Sequence, residues 1–415
     1  MSKNEKRVPE LRFKGFIDDW EQRKLGEVSD IIGGGTPNTQ KKEYWDGDID
    51  WYSPVEIGEY IYVENSKRSI TELGLQKSSA TILPVGTVLF TSRAGIGKTA
   101  ILAKDSATNQ GFQSIVPHKN KLNTYFIYSR TNKLKRYAEK NGAGSTFTEI
   151  SGKQMAKMPM LIPILEEQIK IGNFFKQLDK TVALHQQKLD KLEQLKKGFM
   201  EIMFTQKEED MPRLRFANFN KEWEKRNLDS MVERVKSYPL SRNVETNEYT
   251  GYKYIHYGDI HTKVADKINK TSNLPNIMPG RYVTLKKGDL ILADASEDYQ
   301  GIAVPAVVTI KPKYNLVSGL HTITLRPKQA DYMFLYYLFH SSQFRKFGYR
   351  VGTGMKVFGI TVTNLLSFNS RVPMIKEQMK IGIFFKKIER TISYHQDRLD
   401  KLELLKKAFL QKMFI

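Results

Sequence analysis

The segment FTSRAGIGKTAI, at 90–101, carries residue types that bind phosphate in many proteins. Its Gly97, Lys98 and Thr99 match the end of the phosphate-loop pattern G-x-x-x-x-G-K-[ST], in which the lysine and the hydroxyl hold a nucleotide's phosphates and magnesium. Ser92 replaces the first glycine of that pattern, and the residues after Thr99 predict a strand where the pattern needs a helix. A nucleoside triphosphatase is therefore kept only as the less favoured alternative.

The same segment is also suited to nucleic acid. Arg93 and Lys98 lie on either side of two glycines, and Thr91 and Ser92 come directly before Arg93. Hydroxyls and backbone amides bind phosphate oxygens, and an arginine binds the edge of guanine at two points. The alternative is a tight hairpin that is basic by coincidence, because glycine-rich stretches also form turns. We consider both a DNA contact and a simple hairpin.

The rest of the sequence offers no set of catalytic residues. It contains no cysteine, which excludes disulfides and thiolate zinc sites. Enzymes that methylate adenine carry an Asn/Asp-Pro-Pro-Tyr/Phe motif, and this motif is absent. His185 and His395 have no carboxylate or cysteine beside them, which makes them a poor ligand set for a metal. We expect no catalytic residue, no metal site and no cofactor in this chain.

Charge and length narrow the class of protein. Lysine and arginine outnumber aspartate and glutamate by 66 to 45 in 415 residues, a formal net charge of +21. Such an excess favours a polyanionic partner, since cations gain affinity by releasing the counterions around phosphates; solubility alone is the alternative. The beginning of the sequence has no apolar segment, and no apolar run could span a bilayer. We expect a cytoplasmic protein with no membrane partner.

An internal repeat determines how the chain is organised. Residues 163–204 and 373–414 are identical at 23 of 42 positions with a constant offset of 210. Residues 9–25 and 212–228 are identical at 9 of 17 positions, with an offset of 203. The centres of the two copies have diverged. The chain therefore consists of two copies of one unit, each a mixed globular domain followed by a long helix.

The predicted fold class is α+β. Short β-branched runs bounded by glycine or proline, such as GTVLFTS and GDLILAD, predict strands, and a helical aromatic-rich segment follows in each copy. The two mixed α/β domains are expected to be separated by two long helices that form an antiparallel intramolecular coiled coil with pseudo-twofold symmetry. The predicted limits are 1–162 and 206–372 for the domains, and 163–205 and 373–415 for the helices.

The coiled coil is predicted from apolar positions whose spacing alternates between three and four residues. Pairing within the chain is the simplest expectation, because the same stripe occurs twice; pairing within a homodimer is the alternative. We interpret the two histidines of the stripe as polar residues that fix the register rather than as metal ligands. The predicted seam consists of Leu178, Val182, His185, Leu189, Leu192, Ile388, Ile392, His395, Leu399 and Leu402.

Several segments, taken in order, resemble one known family. They are LRFKGFIDDWEQRKLGEV near the start, GGGTPNTQKKEYWDGDIDWYSPVEI at 33–57, TSRAGIGK, and PILEEQ…IGNFFKQLD with its duplicate PMIKEQ…IGIFFKKIE. The chain thereby resembles the specificity (S, or HsdS) subunits of type I restriction-modification enzymes. The second copy has ADASEDYQG in place of TSRAGIGK.

The resemblance implies a non-catalytic subunit that binds a bipartite sequence in double-stranded DNA. Each globular part would be a target recognition domain for one half of that sequence, and the paired helices would set the spacing. Two methylation subunits and restriction-translocase subunits would dock on the chain, and S-adenosylmethionine, ATP and Mg would act in those partners. A basic coiled-coil scaffold that binds nucleic acid is the alternative. The predicted DNA-binding residues are Thr36, Thr91, Ser92, Arg93, Lys98, Ser145, Thr146 and Lys356.

Overall fold

A computed structural model describes residues 7–93, 95–143, 149–206, 209–354 and 356–415. The chain divides into two compact units. Unit 1 takes in the residues up to Gln186 together with Asp397–Ile415, and unit 2 is Gln187–Gln396. Each unit therefore contains part of both long helices, whereas the sequence-based limits treated each helix as a segment of its own.

Unit 1 is built on an antiparallel pair and two larger sheets. The five-stranded sheet has the order β2-β9-β6-β7-β4, the three-stranded sheet the order β5-β3-β8, and β1 pairs with β10. The elements are β1 (Glu21–Lys24), α1 (Leu25–Val28), β2 (Ser29–Gly33), β3 (Trp45–Tyr52), β4 (Tyr62–Val63), β5 (Arg68–Ile70), α2 (Glu72–Gln76), β6 (Val88–Phe90), β7 (Thr99–Leu102), β8 (Ala107–Thr108), β9 (Gln113–Pro117), α3 (Thr124–Tyr128), α4 (Thr131–Asn141), α5 (Gly152–Ala156), β10 (Pro159–Ile162) and the first part of α6 (Leu165–Ile202).

Unit 2 repeats this plan. Its five-stranded sheet has the order β12-β21-β17-β19-β15, and further sheets have the orders β13-β16-β14-β20, β11-β23 and β18-β22. The elements are β11 (Glu224–Asn227), α7 (Leu228–Met231), β12 (Val232–Val235), β13 (Glu245–Thr246), β14 (Tyr252–Ile255), α8 (Tyr257–His261), β15 (Lys267–Ile268), β16 (Asn276–Ile277), β17 (Leu290–Ala293), β18 (Ala295–Ser296), β19 (Pro305–Val308), β20 (Asn315–Ser318), β21 (Thr322–Pro327), α9 (Tyr332–His340), α10 (Ser342–Val351), β22 (Phe358–Gly359), α11 (Val362–Leu366), β23 (Asn369–Val372) and the first part of α12 (Ile375–Lys412).

The central strands of the five-stranded sheets are those that the sequence predicts. GTVLFTS forms β6 and GDLILAD forms β17, and every residue of both strands is buried. β17 is hydrogen-bonded to β19 on one side and to β21 on the other, so the strand has no edge in contact with water. A continuous apolar run is typical of a strand covered in this way. The α+β class is confirmed.

The long helices α6 and α12 each contain 38 residues, about 57 Å at ~1.5 Å per residue. All the predicted seam positions are buried or half-buried, whereas the residues directly beside them on either helix are mostly exposed. No helix of the described residues is both long enough and apolar enough to cross a bilayer.

Aromatic contacts inside each unit fix the direction of the two helices. In unit 1, Phe174 near the start of α6 packs edge-on against Phe409 near the end of α12, with ring centroids 5.0 Å apart. In unit 2, Phe199 near the end of α6 packs in the same way against Phe384 near the start of α12, again at 5.0 Å. The helices are therefore antiparallel and pair within one chain, as predicted.

The start of each long helix is docked on its own domain by a buried carboxylate. Glu167 is fully buried and accepts two hydrogen bonds from the Arg12 guanidinium, at 2.7 and 2.8 Å. Glu377 is equally buried and accepts two from Arg215 at the same distances. These charged pairs explain why the motif PxxxEQ and the upstream LRF segment occur in both copies.

Glycine at the next turn lets the helix approach the domain closely. A Cβ at Gly172 would lie 2.5 Å from Asn123 Oδ1 and 3.1 Å from the backbone nitrogen of Phe126. A Cβ at Gly382 would lie 2.9 Å from the Cβ of Met333. Both contacts are shorter than van der Waals separation, so the glycine of each KIG motif is required by packing.

Candidate nucleic-acid interface

The loop that joins β6 to β7 is a tight hairpin organised by Thr91. The Thr91 hydroxyl donates to the carbonyl oxygen of Gly95 at 2.8 Å and accepts from the backbone nitrogen of Lys98 at 2.9 Å. Gly95 and Gly97 have φ of +100° and +93°, a region that glycine adopts without strain. β7 begins at the next residue, so Lys98 precedes a strand. The phosphate-loop interpretation is thus wrong, because that site needs a helix N-terminus behind the lysine.

The hairpin exposes its cations and buries its hydroxyls. Thr91 and Ser92 have no exposed surface, whereas the side chain of Arg93 is 38% exposed and Lys98 is exposed. The two hydroxyls are buried because the ladder continues past the end of β6: Thr91 pairs with Phe112. In this structure Thr91 and Ser92 therefore shape the loop and do not reach its surface, contrary to the contact predicted for them.

Two residues that follow the predicted Ser145 and Thr146 lie beside the hairpin. The Ser92 carbonyl accepts a hydrogen bond from the backbone nitrogen of Ile150 at 3.1 Å, and the Arg93 guanidinium lies 4.0 Å from the Glu149 carboxylate. Glu149 and Ile150 therefore lie next to the hairpin. The predicted residues Ser145 and Thr146 lie outside the described residues.

Thr36 reaches the same region through one intermediate residue. Its hydroxyl bonds the side chain of Gln110, and the carbonyl of the next residue, Gly111, accepts from the Ser92 nitrogen at 2.8 Å. Motifs that are about 55 to 115 residues apart in sequence thus meet at one edge of the five-stranded sheet. We call this edge, formed by residues 36, 91–93, 95–98, 110–111, 143 and 149, the loop face of unit 1.

A basic helix, which the sequence analysis did not single out, adjoins this loop face. The aliphatic part of Lys135 in α4 packs directly on Gly97. A cavity of about 310 Å³ next to Lys98 is lined by Thr131 of the same helix and by Asp179 and Lys406 of the long helices. The KLKR run at 133–136 is the sequence signal for this basic helix, although the run was interpreted only as part of a helical segment.

Burial and like charge alter one member of that run. Burial, together with the charges of Arg130 and Arg136, lowers the pKa of Lys133 to about 8. Its charge is therefore lost more readily above neutral pH than that of an ordinary lysine.

Unit 2 has an equivalent loop face with different side chains. The backbone nitrogen of Asp294 donates to the His321 carbonyl at 3.0 Å, and the Asp294 carbonyl accepts from Ile360 at 2.9 Å. These bonds match those made by Ser92 with Gly111 and Ile150. The segment ADASEDYQG thus occupies the place of TSRAGIGK with no cation of its own. Lys356, the DNA-binding residue predicted in this copy, is exposed in the neighbouring loop before β22.

The loop face of unit 2, formed by residues 257, 294–301, 321, 352–354 and 356–360, carries side chains that sequence reasoning missed. His321 Nδ1 lies 3.1 Å from Asp294 Oδ1, and the ring of Tyr257 meets the His321 ring edge-on at 5.3 Å. Burial raises the pKa of Asp294, an effect that the nearby His321 opposes. No identity between the copies marks these positions, so only the matching backbone bonds reveal them.

In each unit, a carboxylate on one long helix is paired with a lysine on the other. Asp179 lies 2.5 Å from Lys406 Nζ and accepts from the Tyr125 hydroxyl at 2.7 Å. Glu389 lies 2.6 Å from Lys196 Nζ and accepts from the Tyr337 hydroxyl at 2.6 Å. Burial would raise the pKa of Glu389, but the charges of Lys267 and Lys196 outweigh it and the pKa is lowered.

The described part of the chain contains no group of three or more histidines, aspartates and glutamates arranged to hold a metal ion. The features that remain are two exposed loop faces and two duplicated helix junctions. This arrangement offers surfaces for binding.

Comparison with known proteins identifies the family. A family model described as the type I restriction modification DNA specificity domain matches residues 17–194 and again residues 220–404. The chain belongs to this family. The two matches correspond to the two copies found in the sequence, and they cover most of the chain.

Individual relatives agree with this assignment. The MjaIX specificity subunit of Methanocaldococcus jannaschii is 36% identical over 180 residues, which is 43% of this chain and 42% of that protein. The EcoR124I/EcoR124II specificity subunit of Escherichia coli is 29% identical over 177 residues, 41% of this chain and 43% of the relative. These two matches thus span less than half of each relative. The MjaVIII specificity subunit of M. jannaschii is 22% identical over 412 residues, 95% of this chain and 91% of the relative.

A solved structure has the same fold. The crystal structure of a type I restriction-modification system S subunit from M. genitalium superposes with a TM-score of 0.60 at 13% identity. The match covers 98% of this chain and 99% of that one, so the whole arrangement of strands and long helices is shared.

Proposed function

We propose that this chain is the non-catalytic DNA-specificity subunit of a type I restriction-modification complex. Units 1 and 2 are its two target recognition domains. It binds a bipartite sequence in double-stranded DNA through the loop face of each unit. The observation that carries the proposal is the contrast between the duplicated junctions of the long helices and the divergent loop faces on equivalent backbones. Two unlike half-sites require two unlike surfaces, whereas identical partners require identical ones.

Charge supports DNA as the ligand. The net charge of +21 favours a polyanion, and the exposed cations Arg93 and Lys98 lie on the loop face of unit 1 beside the basic helix α4. Contacts to phosphates position a protein on the duplex, whereas contacts to base edges carry the sequence information. We assign phosphate contacts to the lysines of α4 and to Lys98, and a base contact to Arg93.

The proposed protein partners follow from the duplication. Two methylation subunits bind the repeated helices and the segments docked on them, and restriction-translocase subunits join these. Adenine methylation with S-adenosylmethionine and cleavage with ATP and Mg belong to the partners, and this chain supplies no catalytic group. Its place of action is the cytoplasm, where the DNA is.

The proposal is tested with the complex of this chain and its methylation subunits. At fixed salt the complex should bind a duplex carrying its bipartite site at least a thousandfold more tightly than random duplex. Equal affinity for the two duplexes contradicts the proposal.

Variants of the hairpin then test the role of its cations. Arg93→Ala should cost about 1–3 kcal/mol if the guanidinium reads a base, and should relax one position of one half-site. Lys98→Ala should weaken binding to all duplexes and lower the salt dependence, as loss of a phosphate contact does. Arg23→Ala is the matched control, because Arg23 is an exposed arginine on β1 that is paired with Glu21.

A further inference from the structure

The loop face of unit 2 contains an imidazole held in a defined orientation. His321 lies between β20 and β21, and its side chain is 49% exposed. One ring nitrogen, Nδ1, is 3.1 Å from the Asp294 carboxylate, and the edge-on Tyr257 ring is 5.3 Å away. Tyr257 is itself fixed by His256 and His261, whose ring centroids lie 4.5 and 5.8 Å from its own. The imidazole is thus held on one edge and open on the other.

The backbone of His321 is strained in a way that presents this side chain. Its φ of +55° lies in the left-handed region, which is strained for a residue other than glycine. Strain of this kind persists where the surroundings impose it, and it is concentrated at functional sites. The equivalent residue of unit 1 is Gly111, so the same backbone connection exists without any side chain at this position.

The carboxylate determines which nitrogen carries the proton. An ionised carboxylate only accepts hydrogen bonds, so the Nδ1 that faces Asp294 must be the donor. In a neutral imidazole the other nitrogen, Nε2, is then an acceptor with a free lone pair. Within the described residues no hydrogen-bond partner contacts Nε2, and this edge of the ring is available to a ligand.

We propose that His321 is a specificity-determining residue of unit 2, whose Nε2 accepts a hydrogen bond from the exocyclic amino group of adenine or cytosine in the major groove. Asp294 and Tyr257 are positioning residues that fix the ring and its tautomer. This inference rests on the proposed function of the chain. It also explains why the segment ADASEDYQG has no cation where TSRAGIGK has two: a neutral acceptor distinguishes amino from carbonyl groups, whereas a cation favours carbonyls.

A purely structural role for the pair would have different consequences. Ser92 and Gly111 make the same backbone bonds in unit 1 with no ion pair, so the loop does not need one in order to form. A partly exposed ion pair also contributes little to stability. The His321 side chain is therefore available for a ligand without an essential part in folding.

The test uses the complex with the methylation subunits and has two readouts: the sequence that is methylated, and the affinity for the bipartite site. His321→Ala should relax one position in the half-site of unit 2, leave the other half-site unchanged, and weaken binding about 5- to 150-fold. His321→Gln retains an acceptor and should restore part of the preference. Asp294→Asn can stabilise either tautomer, so it should weaken the discrimination between amino and carbonyl groups at that one position.

His118→Ala is the matched control. His118 also pairs with an aspartate, Asp30 at 3.0 Å, but it follows the opposite end of β9 from the loop face of unit 1. Neither half-site should change in His118→Ala. The melting temperature of His321→Ala should stay near that of the unaltered chain.

The outcomes separate this inference from the proposed function. If the unaltered complex shows no bipartite site, the proposed function itself fails. If it shows one and His321→Ala leaves both half-sites and the affinity unchanged, His321 does not read a base. A change in both half-sites would also overturn the inference, since it would indicate a structural effect.

Discussion

The two units of this chain share a framework and differ in the surfaces that they expose. At the start of each long helix, a fully buried glutamate is held by an arginine through two bonds of the same lengths. At the loop faces, the same backbone bonds support Ser92 in unit 1 and Asp294 in unit 2. The residues that attach each long helix to its domain are thus the same in both copies, whereas the loop faces carry different side chains on equivalent backbones.

The carboxylate–lysine pairs between the long helices are partly the same and partly different in the two units. Each unit pairs a carboxylate of one long helix with a lysine of the other and adds a tyrosine hydroxyl. The tyrosines are not equivalent, because Tyr125 follows the helix cap Asn123 by two residues and Tyr337 follows the cap Asp331 by six. In both units a tyrosine hydroxyl thus donates a hydrogen bond to the carboxylate, but the tyrosine lies at a different distance from the helix cap.

The largest expected effect comes from the duplicated arginines. Arg12→Ala or Arg215→Ala leaves a fully buried glutamate without its partner, which costs about 3–5 kcal/mol of stability. Unfolding by urea measures this cost, and Arg23→Ala, on an exposed pair, should change stability by less than about 1 kcal/mol. A loss in one unit several times that in the other would break the equivalence of the two frameworks.

The helix glycines give the next largest effect. Gly172→Ala places a Cβ 2.5 Å from Asn123 Oδ1, and overpacking of this kind costs about 1–3 kcal/mol. Gly382→Ala should cost less, since its closest contact would be 2.9 Å. Gly198→Ala is the control on α6: nothing lies within 4 Å, and alanine should stabilise the helix by about 1 kcal/mol. The equivalent residue in α12 is already Ala408. Destabilisation by Gly198→Ala would show that the spacing argument is mistaken.

The smallest expected effect is a dependence on pH that arises at Glu389 in unit 2. The pKa of Glu389 is lowered below its usual 4.5, because Lys267 and Lys196 outweigh the effect of burial. A lowered pKa in the folded state gives stability that is complete above about pH 4.5 and is lost as the pH falls through the folded value. Glu389→Gln should remove this part of the acid sensitivity, as measured by melting temperature between pH 7 and pH 3. An unchanged acid profile would show that the lysines do not stabilise the carboxylate.

Much of the framework is predictable from the sequence, because periodicity and repetition report on packing. The seam from Leu178 to Leu402, the buried run at β17 and the antiparallel pairing all follow from apolar spacing and from the duplication. The loop faces are harder to predict. Residue type suggested that Thr91 and Ser92 would contact DNA, but the hydrogen-bond ladder beyond β6 buries them.

Unit 2 shows a second limit of the sequence. His321 and Asp294 share no identity with Gly111 and Ser92, so no alignment of side chains could place them together. Their equivalence lies in backbone hydrogen bonds, which leave no pattern in residue type. The cations of α4 were visible as a basic run, yet only the packing of Lys135 on Gly97 places them beside the hairpin.

The central claim is that one framework holds two independent reading surfaces, and an exchange of one surface tests it most directly. Residues 30–150 would be replaced by the equivalent segment of a relative with a different target, and methylated adenines mapped in DNA from cells that carry the chain and its partners. The account predicts that one half of the methylated sequence changes while the other half and the spacing stay as they were. A change in both halves, or in neither, would contradict it.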